Sequence, residues 1–142
     1  MRTLLSMCII ALPGVVSAQA NGETTGSVRT TRSGVYTADQ ATKGREIYSL
    51  SCVSCHAAVT HTGPAFAAKW HGQRLSELYQ YIVEFMPKAD PGSLSPEEYT
   101  LVLAYLLRMN GMPAGAQALP VDTTALGRIR IDLKATRDTT LR

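Results

Sequence analysis

A chain of 142 residues allows one domain. Its formal charge of only +3 and the lack of any basic run exclude a nucleic-acid-binding surface. Its 3 cysteines are too few for a stabilising disulfide framework, and past the N-terminal segment no apolar run is long enough to cross a bilayer.

The chain opens with Arg2, an apolar run "LLSMCIIAL", the breakers Pro13 and Gly14, and "SAQA" ending at Ala20. A positive start, a short apolar run and small residues before a cleavage point are the anatomy of a secretory signal peptide, so residues 1–20 are expected to be removed on export and the mature protein to be periplasmic. Cleavage takes Cys8 away and leaves Cys52 and Cys55. A lipoprotein reading through Cys8 is weaker, because Met7 precedes it where a small residue is wanted. Residues 21–36, rich in Gly, Ser and Thr, read as a flexible leader.

Order is expected from Thr37, which forms a capping-box pattern with Gln40. The first helix then runs from Ala38 into "SLSCVSCHAA". Gly44 and Tyr48 share a face of it. A glycine inside a helix costs about 1 kcal/mol against alanine, and close approach by another helix would offset that. "VTHTGPAFAAKWHGQ" reads mainly as loop, and a second helix fits "SELYQYIVEF", capped by Ser76, with Leu78, Tyr81, Ile82 and Phe85 as its apolar stripe. "MPKADPGSL" must be irregular, since Pro87 and Pro91 lack amide protons. The third helix is capped by Ser95, with Pro96 at its first position, Glu98 closing the box, and Asn110-Gly111 ending it. Ala104 and Tyr105 are candidates to meet Gly44. In the tail, Ile129, Ile131 and Leu133 alternate with polar residues at strand period. The helical unit carries few large side chains for its size, and so small a domain needs a staple or a cofactor to complete its core.

Cys52, Cys55 and His56 stand at i, i+3 and i+4 and point together on a helical turn. Three chemistries use such a set. A thioredoxin-like dithiol wants the pair at a helix start beside a βαβ pattern, but here a helix precedes it. Zinc wants four ligands, and His61 and His71 lie too far apart for the usual paired spacing. Covalent haem wants two thiols for its vinyl groups and an imidazole for its iron, and Cys-x-x-Cys-His is its attachment signature. One haem c, bonded through Cys52 and Cys55 with His56 on iron, is therefore expected. The sixth ligand must come from Met86, Met109, Met112, His61 or His71. Met86 is the expected one, because its irregular loop between two helices can wrap the far face of the ring. Met109 lies within a helix, Met112 follows one, His61 stays near His56, and His71 precedes the second helix as a surface or peripheral residue. Phe66, Leu78, Ile82 and Leu103 are expected to dry the pocket.

"KGREIYSLSCVSCH", "GPAF" and "MPKADPGSLSPEEYTLVLAYLLRMNG" together resemble a class I, monohaem cytochrome c, similar to the cytochrome domains that accompany bacterial periplasmic dehydrogenases, quinoprotein ones included. The resemblance covers about residues 38–113. It implies an all-α cytochrome c fold over residues 37–113, with N- and C-terminal helices crossing, a third helix and long loops around the haem; residues 114–142 lie outside the resemblance and form a C-terminal extension in which the alternation allows a short strand. It also implies that the Pro64 carbonyl accepts a hydrogen bond from His56, and that Trp70 lies near a haem propionate. The expected function is one-electron transfer between redox proteins (a dehydrogenase, an oxidase or a cytochrome complex), with no catalysis at the iron because both axial positions are filled. The alternative is an electron-transfer subunit of a dehydrogenase, in which "GRIRIDL" could add a strand to a partner's sheet. A small haem peroxidase, which needs an open distal site, is opposed by Met86.

Overall fold

The computed structural model describes residues 29–133. The expected signal segment lies outside them. In chain order the elements are β1 (Arg29–Thr30), a 3₁₀ turn (Thr31–Ser33), α1 (Ala38–Ser51), a second 3₁₀ turn (Ala58–His61), α2 (Gly63–Trp70), α3 (Leu75–Phe85), α4 (Pro96–Met109), α5 (Thr123–Leu126) and β2 (Ile129–Arg130). Helix dominates, and the architecture is all-α with one short strand pair.

The α1 helix begins as its sequence dictates. Thr37 Oγ1 accepts from the Gln40 amide at 3.2 Å, and Gln40 Oε1 accepts from the Thr37 amide at 3.2 Å. Helix α4 does the same with Ser95 and Glu98, and Pro96 opens its first turn where no amide proton is required. The two helices form the most extensive contact between elements. Gly44 lies at that contact: a Cβ there would overlap the Leu101 carbonyl and come within 3.1 Å of Tyr105 Cβ. Tyr105 was expected at this contact, whereas Ala104 is buried in the core and the closest approach falls on the Leu101 backbone. Tyr48, one turn after Gly44, is buried with Val102 and Leu106 of α4.

Three segments differ from the sequence expectation. Residues 29–36 are not a flexible leader. Arg29 and Thr30 pair in parallel with Ile129 and Arg130, and Thr31, Val35 and Tyr36 are buried. The polar composition misled because Thr31 satisfies its hydroxyl internally, accepting from the Asp132 amide at 2.9 Å. Residues 63–70 are helix rather than loop. Pro64 stands in the first turn, where it starts a helix instead of breaking one, and Phe66 and Trp70 are buried at i, i+4. Helix α3 starts at Leu75, so Ser76 lies in its first turn and the flanking position is Arg74, whose amide donates to Glu77 Oε2 at 3.3 Å. Leu75 is fully buried, and that burial draws the helix start back.

The tail after Met112 packs onto the domain rather than apart from it. Tyr36 donates from its hydroxyl to the Met112 carbonyl at 2.7 Å, and the Gly115 amide donates to the Tyr36 carbonyl at 2.7 Å. Gln40 takes the Leu119 amide at 2.8 Å and returns a bond to the Leu119 carbonyl at 3.0 Å, so the capping residue of α1 also fastens the tail. The expected alternation is realised, with Ile129, Ile131 and Leu133 buried. Beyond β2, Ile131 exchanges backbone bonds with the α2–α3 turn, giving its carbonyl to the Gly72 amide at 2.8 Å and its amide to the Gln73 carbonyl at 2.9 Å. The "GRIRIDL" strand thus pairs within its own chain.

Candidate functional site

The end of α1 leads directly into the cysteine motif. The Cys52 amide donates to the Tyr48 carbonyl at 2.9 Å, and the Cys55 and His56 amides both donate to the Cys52 carbonyl, at 3.2 and 2.9 Å. These bonds wind one further turn past the helix and bring Cys52, Cys55 and His56 to the same cleft. Both thiols are free; Cys52 is half-buried and Cys55 exposed. Burial pushes the Cys52 thiol up from its ordinary value, the reverse of what an activated redox thiol needs. Among the described residues, no three His, Cys, Asp or Glu side chains are grouped as a bare metal ion would require.

The cleft encloses about 300 Å³. The turn after α1 supplies Cys52, Cys55, His56 and His61; α2 supplies Phe66, Lys69 and Trp70; α3 supplies Leu78, Tyr81 and Ile82; and α4 supplies Val102 and Leu106. Met86, Pro87 and Lys88 close it from the loop after α3. Of the residues expected to dry the pocket, Phe66, Leu78 and Ile82 line it, whereas Leu103 lies wholly in the core behind.

Met86 is the C-cap of α3. Its amide donates to the Ile82 carbonyl at 2.9 Å, and its carbonyl accepts from the Tyr99 hydroxyl at 2.7 Å. Tyr99 belongs to α4, so the loop that carries the thioether is tied to the helix that packs on α1. The other candidates for the sixth position separate cleanly. Met112 is buried in the main core, where its sulfur accepts from Thr31 Oγ1 at 3.4 Å. Met109 packs beside Tyr48 and Val102 and does not line the cleft. His71 Nδ1 accepts from the Leu133 amide at 3.1 Å and serves the tail. His61 does line the cleft, but its ring lies beside that of His56, with centroids 4.7 Å apart. Tyr48 meets the His61 ring edge-on at 6.0 Å, and Asn110 Nδ2 donates to the His61 carbonyl at 2.8 Å. Burial, and next the charge on His56, hold the His61 imidazole below its ordinary value.

The cleft therefore gathers five of the six expected residues, Cys52, Cys55, His56, Trp70 and Met86, and leaves out Pro64. Pro64 is exposed in the first turn of α2, where a carbonyl points along the helix axis toward the residue four ahead rather than sideways. Sequence reading missed Tyr99, Lys69 and Lys88. Tyr99 looks like one more member of the α4 apolar stripe, and nothing in its spacing marks the hydroxyl that holds Met86. Nothing in the sequence marks the lysines: Lys69 reaches the cleft because α2 is a helix, and Lys88 because the loop after α3 closes the cleft.

The donor set fits a covalent haem: two free thiols beside an imidazole, one thioether, and an apolar cleft between the helices. Residues 39–106 match the family model described as Cytochrome C oxidase, cbb3-type, subunit III. No curated protein and no solved structure matches the chain. The family match supports a c-type cytochrome domain with the all-α cytochrome c fold, a haem c group and a role in electron transfer.

Proposed function

We propose that the protein is an exported one-electron carrier whose haem c is bonded through Cys52 and Cys55 and ligated by His56 and Met86. The single observation that carries this is the convergence of both thiols, the imidazole and one methionine on one apolar cleft. Such a group supplies the Fe(III)/Fe(II) couple when bound.

The chain's own residues set how that couple behaves. Cys52 and Cys55 would hold the ring at the end of α1. His56 is steadied by its place in the added turn, where its amide bonds to Cys52, and by the His61 ring at its side. Met86 offers a soft sulfur donor, which favours the ferrous state more than a second imidazole would. Tyr99 holds the Met86 carbonyl and so limits how far the sulfur can move. Phe66, Leu78 and Ile82 keep the site dry, which disfavours the more highly charged ferric state. If His56 and Met86 both held the iron, no coordination site would be left for a substrate, and the function would be transfer rather than catalysis.

A second reading has its own support, because the matching family is described as an oxidase subunit. Under it the protein passes electrons as a fixed subunit of a larger periplasmic redox complex, a dehydrogenase or an oxidase. Purification under native conditions separates the two: a carrier runs alone, a subunit brings its complex with it.

The test of the haem itself is a spectrum of oxidised and reduced protein, matured with haem-attachment machinery, together with its pyridine haemochrome. Two thioether bonds and a weak long-wavelength sulfur-to-iron band are expected. Colour removed by acid–acetone, or a mass with free thiols and no macrocycle, overturns the reading.

A further inference from the structure

The cleft carries charge of one sign. Its lining includes two ammonium groups, Lys69 on α2 and Lys88 two positions after Met86, and no carboxylate. Lys69 Nζ stands 3.6 Å from the centroid of the Tyr81 ring and 4.8 Å from that of Trp70. Two aromatic faces therefore hold it, rather than an acid. The ion pair found among the described residues, Lys43 with Asp39, lies on α1 and neutralises neither cleft lysine.

Two like charges bordering one apolar cleft raise the question of their counter-ion. Both are exposed to water, and among the described residues no carboxylate pairs with either, so an anionic occupant of the cleft would be their partner. We infer that Lys69 and Lys88 are the counter-charges of the two carboxylates of the bound haem. The inference rests on the haem reading and deepens it. Chemistry sets the orientation: thioether bonds at Cys52 and Cys55 hold the vinyl-derived edge of the macrocycle at the end of α1, and the propionates leave from the far edge. The lining outside that motif comes from α2, α3, α4 and the Met86 loop, and both lysines belong to it. Lys69 is the pre-positioned member, since Tyr81 and Trp70 fix its ammonium group before any anion arrives. An ammonium bound to each propionate removes negative charge from beside the iron. That disfavours ferric haem, so the lysines raise the reduction potential.

The experiment compares wild-type holoprotein with Lys69→Gln, Lys88→Gln, the double variant and Lys69→Arg. Each is followed by pyridine haemochrome, reduction potential and redox-difference infrared spectra with haem labelled at the propionate carboxyl carbons. Each Gln variant should move the ferrous-to-ferric ratio about threefold toward ferric, which is about 28 mV at about 59 mV per tenfold. The double variant should move it further, the labelled carboxylate bands should shift, and Lys69→Arg should restore the wild-type potential. Unchanged potentials and unshifted bands with a normal haemochrome would overturn the inference and leave the lysines to an anionic protein partner, seen as electron transfer slowed in a salt-dependent way. Absence of a haemochrome from the wild type would instead defeat the haem reading, and this inference with it.

Discussion

Met86 and Met112 look alike in sequence, each followed by a proline, and the fold gives them different work. Met112 is buried among Thr31 and Tyr36, with its sulfur and its carbonyl both bonded. Met86 presents its side chain to the cleft while its carbonyl is held by Tyr99. Met86→Ala should therefore lower the reduction potential and let carbon monoxide bind the reduced protein, read by titration and by the Soret shift. Met112→Ala should leave the spectrum intact and lower stability by about 2–5 kcal/mol, the usual cost of truncating a buried side chain to alanine, read by urea unfolding. An unchanged potential in the first variant would show that another group holds the sixth position. Tyr99→Phe keeps the ring and removes only the bond to Met86. It should cost about 1 kcal/mol and weaken the sulfur-to-iron band without abolishing it. At this scale the sequence was informative about the residues that meet at the cleft and silent about their supports. Cys52, Cys55, His56 and Met86 are legible because their chemistry or their loop singles them out. The supporting Tyr99 hydroxyl is invisible because its value depends on where a distant loop returns.

At the level of elements, the contact of α1 with α4 is the part that tolerates least. Alanine at Gly44 would gain about 1 kcal/mol of helix propensity, but its methyl would enter the Leu101 carbonyl. Overpacking costs typically about 1–3 kcal/mol, so Gly44→Ala should destabilise, and Gly44→Val more so, as read from denaturation midpoints. The cap of α4 carries a pH dependence. Glu98 Oε2 accepts from the Ser95 amide at 2.8 Å and from its hydroxyl at 2.9 Å, and these bonds hold the carboxyl below its ordinary value. A carboxylate depressed in the fold stabilises fully above its unfolded pKa and loses that contribution as pH falls through the folded one. Unfolding measured across the acid range should show this loss, and Glu98→Gln should flatten it. The caps at Thr37 and Ser95 were legible because two side chains at fixed spacing satisfy the same amides in any context. The start of α3 was not, since burial of Leu75 outweighs the capping preference of Ser76. Nor was α2, where a Gly-Pro pair that commonly signals a turn instead supplies the opening of a helix.

On the scale of the molecule, the two ends of the described chain hold each other. Thr31, Val35 and Tyr36 from one end and Leu126, Ile129 and Ile131 from the other are all buried. Ile131→Ala should cost about 2–5 kcal/mol while leaving the haem spectrum unchanged, because the residue lies outside the cleft. Calorimetry should find a single transition, as one shared core requires, and a separate low-temperature melt of the tail would contradict that. Strand periodicity at 129–133 was readable in advance. Its partner was not, since a two-residue strand in a threonine-rich stretch carries no periodic signal of its own.

That pairing joins Arg29 to Ile129 across most of the polypeptide. A ribosome delivers residue 29 long before residue 129 exists. The N-terminal strand must therefore wait, its hydrophobic neighbours uncovered, until nearly the last portion emerges. Throughout that interval the cysteine motif stands on an open, unlatched chain.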